Sequence, residues 1–133
     1  MFPDTSFCID LLREQRRGER GPASSKLEAL GGKSLLISLF VLCELRAGAE
    51  MSSNPQRELS SVVRLVEGFE IVSPAPPFAV LYGEIVAALL RNGTPVPRMD
   101  VLLGVMAKSF GMPVLTRDMN HFSKIPGLVI EAY

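Results

Sequence analysis

The sequence predicts an α/β fold, a three-layer α/β/α arrangement with helices on both faces of a short, mostly parallel central sheet. Three observations predict it. Short apolar runs bounded by turn residues alternate with longer segments whose apolar residues recur at three- and four-residue steps, the pattern of strands alternating with helices. The 133 residues are 47% hydrophobic with a mean hydropathy of +0.26, enough for one sizeable core and too apolar for disorder. No repeat, low-complexity tract or linker interrupts residues 1–133, which are therefore expected to form a single domain.

The elements follow in order. Phe2 and Pro3 leave room for only a stub of a first strand before Asp4. Asp4-Thr5-Ser6 reads as a strand-to-helix junction, because Thr and Ser are good N-cap residues. Phe7, Cys8, Leu11 and Leu12 mark the apolar face of the helix, and Gly18, Gly21 and Pro22 break it. A second short helix can start at Ser24 or Ser25 and closes at Gly31-Gly32. Leu35 to Ser38 is a buried strand, and Ser38 caps a helix over 39–49 with Glu44 in its second turn. Asn54 and Pro55 suit the cap and first turn of the next helix. Leu59, Val62, Val63, Val66 and Phe69 make that helix amphipathic. Residues 69–72 form the next strand. After the rigid turn Ser73 to Pro77, a helix carries Phe78, Leu81, Tyr82, Ile85 and Leu89 and ends at Asn92-Gly93. Asp100 opens a helix whose stretch Val101 to Ala107 is apolar nearly all round, so it belongs in the centre. Pro113 to Thr116 and Leu128 to Ile130 are the last strands.

Composition excludes several classes. Lys plus Arg number 14 and Asp plus Glu number 14, so no general basic footprint for nucleic acid exists and any such binding uses a local patch. Cys8 and Cys43 are far apart and His121 is the only histidine, which leaves no zinc-type spacing. Both thiols are expected to be buried and reduced. No signal peptide is expected, and the longest apolar run, Leu35 to Cys43, is too short to span a bilayer. A soluble cytoplasmic protein is the default expectation.

Four acids stand at strand ends or helix starts: Asp4 after the first strand, Glu44 just past the second, Asp100 at a helix start, and Asp118 past the Val114–Thr116 strand. In open parallel sheets, sites form beyond the carboxyl ends of the strands. Singly, such acids are ordinary caps or partners of a helix dipole. Jointly they can converge on one edge, where they would repel one another unless a hard cation intervened. Mg²⁺ or Mn²⁺ suits such oxygen ligands, and the chemistry that fits is metal-assisted phosphodiester hydrolysis.

The same residues resemble a known family. Asp4-Thr5-Ser6 resembles the Asp-Thr-Asn or Asp-Thr-Ser opening of PIN domains. Leu42-Cys43-Glu44-Leu45-Arg46-Ala47-Gly48 resembles the Glu-Leu-Arg-x-Gly segment of the VapC toxins in that superfamily. Asp100 before Leu102-Leu103 resembles its Asp-x-x-Ile-Ala-Ala helix, and Leu115-Thr116-Arg117-Asp118-Met119-Asn120-His121-Phe122 resembles its closing Thr-Arg-Asp-x-x-His-Phe segment. The resemblance implies a PIN-like fold and an Mg²⁺- or Mn²⁺-dependent endoribonuclease acting as the toxin of a toxin–antitoxin pair. It implies Asp4, Glu44, Asp100 and Asp118 as metal-binding acids, with Ser6 and Thr116 as supporting hydroxyls. It further implies an RNA substrate, a protein antitoxin and a homodimer. The chain departs from the family in its short first strand, in Pro3 directly before Asp4, which restricts pairing, and in Gly104-Val105-Met106 where the family has Ile-Ala-Ala.

Other residues admit plainer readings. Arg98 and Arg117 flank the acids and are candidates for positioning a phosphate. Arg13, Arg16, Arg17 and Arg20 can bind RNA phosphates or an acidic antitoxin segment, or can simply be solvated beside Glu14 and Glu19. Asp10 and Glu84 read as solvated helix-surface acids, and His121 beside Phe122 as a structural hydrogen-bonding residue. The rival functions are a housekeeping RNA-processing nuclease and a catalytically silent PIN-like binding module.

Overall fold

The computed structural model describes residues 1–133. The chain runs β1 (Phe2–Pro3), α1 (Thr5–Arg17), α2 (Pro22–Ala29), β2 (Leu36–Ser38), α3 (Leu39–Glu50), α4 (Pro55–Val66), β3 (Glu70–Val72), α5 (Phe78–Arg91), α6 (Arg98–Ser109), β4 (Val114–Leu115), α7 (Met119–Phe122) and β5 (Ile130–Glu131). β1 pairs with β4, β4 with β5 and β2 with β3, all parallel. The Leu36 N–H donates to the Met1 carbonyl at 2.9 Å, which sets β2 beside β1 and gives a spatial order β3, β2, β1, β4, β5. β1 and β4 pair in parallel, so their carboxyl ends lie on one edge, and the pocket that Asp4 shares with Glu44 puts the end of β2 on the same side.

Pro3 does not cost β1 its pairing. The bonds to β4 come from the Phe2 N–H to the Pro113 carbonyl and the Asp4 N–H to the Leu115 carbonyl, both 2.9 Å. Donors toward one neighbour alternate along a strand, and Pro3 occupies the position that has none to give there.

Local chemistry places the helix starts. Asp4, not Thr5 or Ser6, caps α1: its Oδ1 accepts the Phe7 N–H at 2.7 Å. Ser38 caps α3 through the Phe40 N–H, and Asn54 caps α4 through the Arg57 N–H, as their sequence positions suggest. α2 begins two residues earlier than Ser24, at Pro22, because its cap comes from outside. The Glu14 carboxylate accepts the N–H groups of Gly21, Ala23 and Ser24 at 3.2, 3.1 and 2.8 Å, and the Ser24 hydroxyl. Although desolvation opposes it, these bonds hold the Glu14 carboxyl below its ordinary pKa. β5 lies two residues beyond the expected start, and α7 follows from Asp118 acting as a cap.

The core is a single cluster of 26 buried apolar residues. α6 lies in it as its all-round apolar sequence predicts, with Val105, Met106 and Ala107 wholly buried. Gly104 lets α6 sit close to the chain after α7, since a Cβ there would fall 2.5 Å from Ile125 Cδ1 and 3.3 Å from Leu128 Cδ2. Cys8 is buried, and burial pushes its thiol up to about 12. Cys43 is exposed, contrary to the expectation of two buried thiols, because it lies on the outer face of α3; both are free. No helix is long and apolar enough to cross a membrane.

Candidate active site

Parallel pairing brings the sequence-predicted acids to the same edge. Asp4 follows β1 directly and is nearly buried, 5% exposed. Thr116 follows β4 and is wholly buried. Its hydroxyl donates to Asp4 Oδ2 at 2.6 Å and accepts the Asp118 N–H at 2.8 Å. One hydroxyl therefore fixes two of the acids, which lie 114 positions apart in sequence. Asp118 then caps α7, its Oδ1 accepting the His121 N–H at 3.2 Å. That turn swings the His121 ring back, so that Nδ1 lies 3.0 Å from Asp100 Oδ2 and 2.9 Å from Asp118 Oδ2.

The other two acids come from helices. Asp100 is the third residue of α6, in the first turn, where the helix dipole favours a carboxylate. Glu44 lies in the second turn of α3, and its Oε2 accepts the Thr5 hydroxyl. Asp4, Ser6, Glu44 and Asp100 line one small pocket of about 40 Å³ together with Thr5 and Leu103. Ser6 contributes its position on the wall.

Burial disfavours the charged forms of Asp4 and Asp100. Burial, and more weakly the charge of Asp100, raise the pKa of Asp4, against the bonds from Thr116 and Phe7 and the charge of Arg117. Burial and the charges of Asp118 and Glu44 raise Asp100, against the pull of His121.

The donor set fits a hard divalent cation. Ligand atoms of Asp100, Asp118 and His121 all lie within 4.8 Å of one another. Asp4 and Glu44 add carboxylates on the adjoining wall, and buried Asp4 and half-buried Asp100 are destabilised as anions, a cost that a cation would offset.

The arginines divide. Arg117 Nη1 is 2.7 Å from Asp10 Oδ2, next in chain to Asp118. Arg98 lines a separate cleft between α5 and α6 with Tyr82, Val86 and Leu89, so no contact carries it to the acids. Three residues take places that their sequence reading did not give them. Asp10 is no solvated surface acid: its side chain is 15% exposed and bonded to Arg117, Arg13 and the Tyr133 hydroxyl. His121 is at the centre of the acids; the i, i+3 spacing from a capping Asp118 was the signal. Thr5 holds Glu44, a role no local spacing reveals. Glu84 is exposed on α5, as read.

The family model described as PIN domain matches residues 1–128 of this chain. A protein of Salmonella typhimurium named tRNA(fMet)-specific endonuclease VapC is 33% identical over 128 residues, covering 96% of this chain and 93% of that protein. One of the same name from Shigella flexneri is 30% identical over 129 residues, with 96% and 93% covered. Among solved structures, DNA-bound VapBC from Salmonella typhimurium superposes with a TM-score of 0.88 at 30% identity, covering 98% of this chain and 96% of that one. VapBC2 from Rickettsia felis bound to a promoter DNA fragment gives a TM-score of 0.90 at 22% identity over 99% and 97% of the chains, a likeness of fold.

Proposed function

The chain belongs to the PIN domain family, close to its VapC members, and on that footing we propose that it is a metal-dependent endoribonuclease, the toxin of a toxin–antitoxin pair. Residues 1–133 would be one nuclease domain acting in the cytoplasm, Mg²⁺ or Mn²⁺ its cofactor, RNA its substrate and a VapB-like protein its restraint. The observation that carries the reading is the single pocket shared by Asp4, Glu44 and Asp100, joined to Asp118 through Thr116 and His121.

Asp4, Asp100 and Asp118 would hold the cation, with Glu44 binding it directly or through water. The chemistry such an ion supplies when bound is Lewis-acid activation of water and neutralisation of charge on the phosphodiester. The chain's own contribution is placement. Thr116 aims Asp4 Oδ2, the Phe7 N–H aims Oδ1, and Thr5 aims Glu44, so the carboxylates need little reorganisation. His121 Nδ1 keeps Asp100 and Asp118 together against their mutual repulsion.

Asp4→Asn and Asp100→Asn should each reduce RNA cleavage by about a hundredfold or more while the circular dichroism spectrum stays that of the folded chain. The check is sequencing of the 5′ ends of RNAs cut by wild type and variants in Mn²⁺ and in EDTA. Initiator tRNA is the first substrate to try, given the relatives' name. Cleavage that survives EDTA, or both substitutions, sinks the mechanism. Calorimetry with Mn²⁺ separates the nuclease from a silent module on the same fold, which would release no heat of binding.

A further inference from the structure

Beside the acid pocket, α1 and Tyr133 enclose a second cleft of about 390 Å³, with Arg13, Arg17, Arg20 and Arg117 on its walls. Resting on the ribonuclease reading above, we propose that this cleft seats the backbone phosphates of the RNA strand as it leaves the acid pocket, and that Asp10 and Tyr133 are positioning residues for Arg117 within it.

Continuity is the first support. Arg117 adjoins Asp118, and its charge acts on Asp4. α1 starts at Asp4 and runs along the cleft, so Asp10 lies about 9 Å and Arg17 about 20 Å further down the helix at 1.5 Å per residue. A strand held in the pocket meets this wall next.

Local charge is the second support. Of the three acids on the cleft, Asp10 is bound to Arg117 and Tyr133, and Glu14 is committed to the amides that open α2. Glu19 alone has no cation or amide partner. Arg20 is paired with Glu28, and Arg13 reaches Asp10 only at 3.6 Å. Arg17 has no acidic partner. Glu14 is thus turned away to α2, Arg17 is left without an acid, and Arg117 shares Asp10 with Arg13 and Tyr133; guanidinium binds phosphate in a forked, directional way.

The third support is the way Arg117 is held. Asp10 Oδ2 takes both Arg117 Nη1 at 2.7 Å and the Tyr133 hydroxyl at 3.0 Å. The Tyr133 ring packs edge-on against Phe7, centroids 4.8 Å apart at 86°, and Phe7 donates the N–H that caps Asp4. Arg117 is fixed through one nitrogen while Nε and Nη2 stay available to a ligand. Phe7 therefore serves both: its backbone N–H caps Asp4, and its ring backs the Tyr133 that shares Asp10 with Arg117.

The test uses the full chain carrying Asp100→Asn, in EDTA, with a labelled single-stranded RNA of mixed sequence followed by fluorescence anisotropy across a salt series. Arg17→Ala with Arg117→Ala should weaken binding about tenfold and reduce the slope of log affinity against log salt by about 1.4, two phosphate contacts at about 0.7 each. Arg57→Ala with Arg64→Ala, on the far side of α1, should change neither. In the cleaving enzyme, Asp10→Asn and Tyr133→Phe should raise KM severalfold and leave kcat in place, an effect that a merely structural role would not produce. Wild-type affinity and salt slope in the Arg17/Arg117 variant overturn the inference while leaving the nuclease reading intact. So does unchanged RNA binding accompanied by lost binding of a polyglutamate peptide, which would assign the cleft to an acidic protein segment. A wild-type chain that neither binds nor cuts RNA overturns both.

Discussion

Asp4 divides its carboxylate between two tasks: Oδ1 caps α1 and Oδ2 takes the Thr116 hydroxyl. Its charge is nonetheless disfavoured by burial, so in the folded chain it keeps its proton to a higher pH than in the unfolded one. Stability therefore falls as pH rises from the ordinary aspartate value through the raised one. Asp4→Asn removes that penalty while an amide oxygen can still serve the cap. In EDTA the variant should melt above wild type at neutral pH, and the gap should close below about pH 4; differential scanning calorimetry over a pH series checks it. A constant gap would mean that the Asp4 charge is well tolerated. Saturating Mn²⁺ should reverse the order by stabilising wild type alone. At this scale the acids were legible because helix starts and strand ends have sequence marks. Thr5, Asp10 and Tyr133 were not, because each acts on a residue that only the tertiary fold brings near.

Among the elements, α2 and α6 depend on contacts outside themselves. Glu14 supplies from within α1 the cap that α2 lacks at Gly21. Glu14→Ala should cost about 1 kcal/mol, seen as a lower urea midpoint with faster amide exchange at Ala23 and Ser24. The sequence reading started α2 at Ser24 or Ser25 because capping rules look a few residues back, not ten. α6 was foreseen as buried from its continuous apolar stretch. The departure at Gly104 proves to be an accommodation: a side chain there would enter Ile125 and Leu128. Gly104→Val should destabilise the fold by about 2 kcal/mol through overpacking and displace Asp100, four positions or about one turn upstream. The expected readout is a lower melting temperature together with weaker Mn²⁺ affinity. α7 escaped prediction because four residues carry no periodicity; only the capping Asp118 announced it.

For the molecule as a whole, the alternation of strands and helices was enough to give a parallel α/β architecture, since parallel strands require crossovers and place their carboxyl ends together. The surface kept one unexplained apolar stripe, Val80, Gly83, Ala87 and Leu90 along α5, with Val80 and Leu90 64% and 73% exposed. A homodimer implied by the family likeness would cover it. Val80→Glu with Leu90→Glu should then convert a dimer to a monomer in light scattering, and an unchanged dimer mass would place the interface elsewhere. The meeting of β1 with β4 has a further consequence, one of timing. Asp4 and Glu44 are made early, but Thr116, Asp118 and His121 are the last of the acid-site residues to leave the ribosome. A nascent chain cannot assemble the site until the segment through His121 has emerged. On the ribonuclease reading, a chain still short of His121 would be unable to cut RNA.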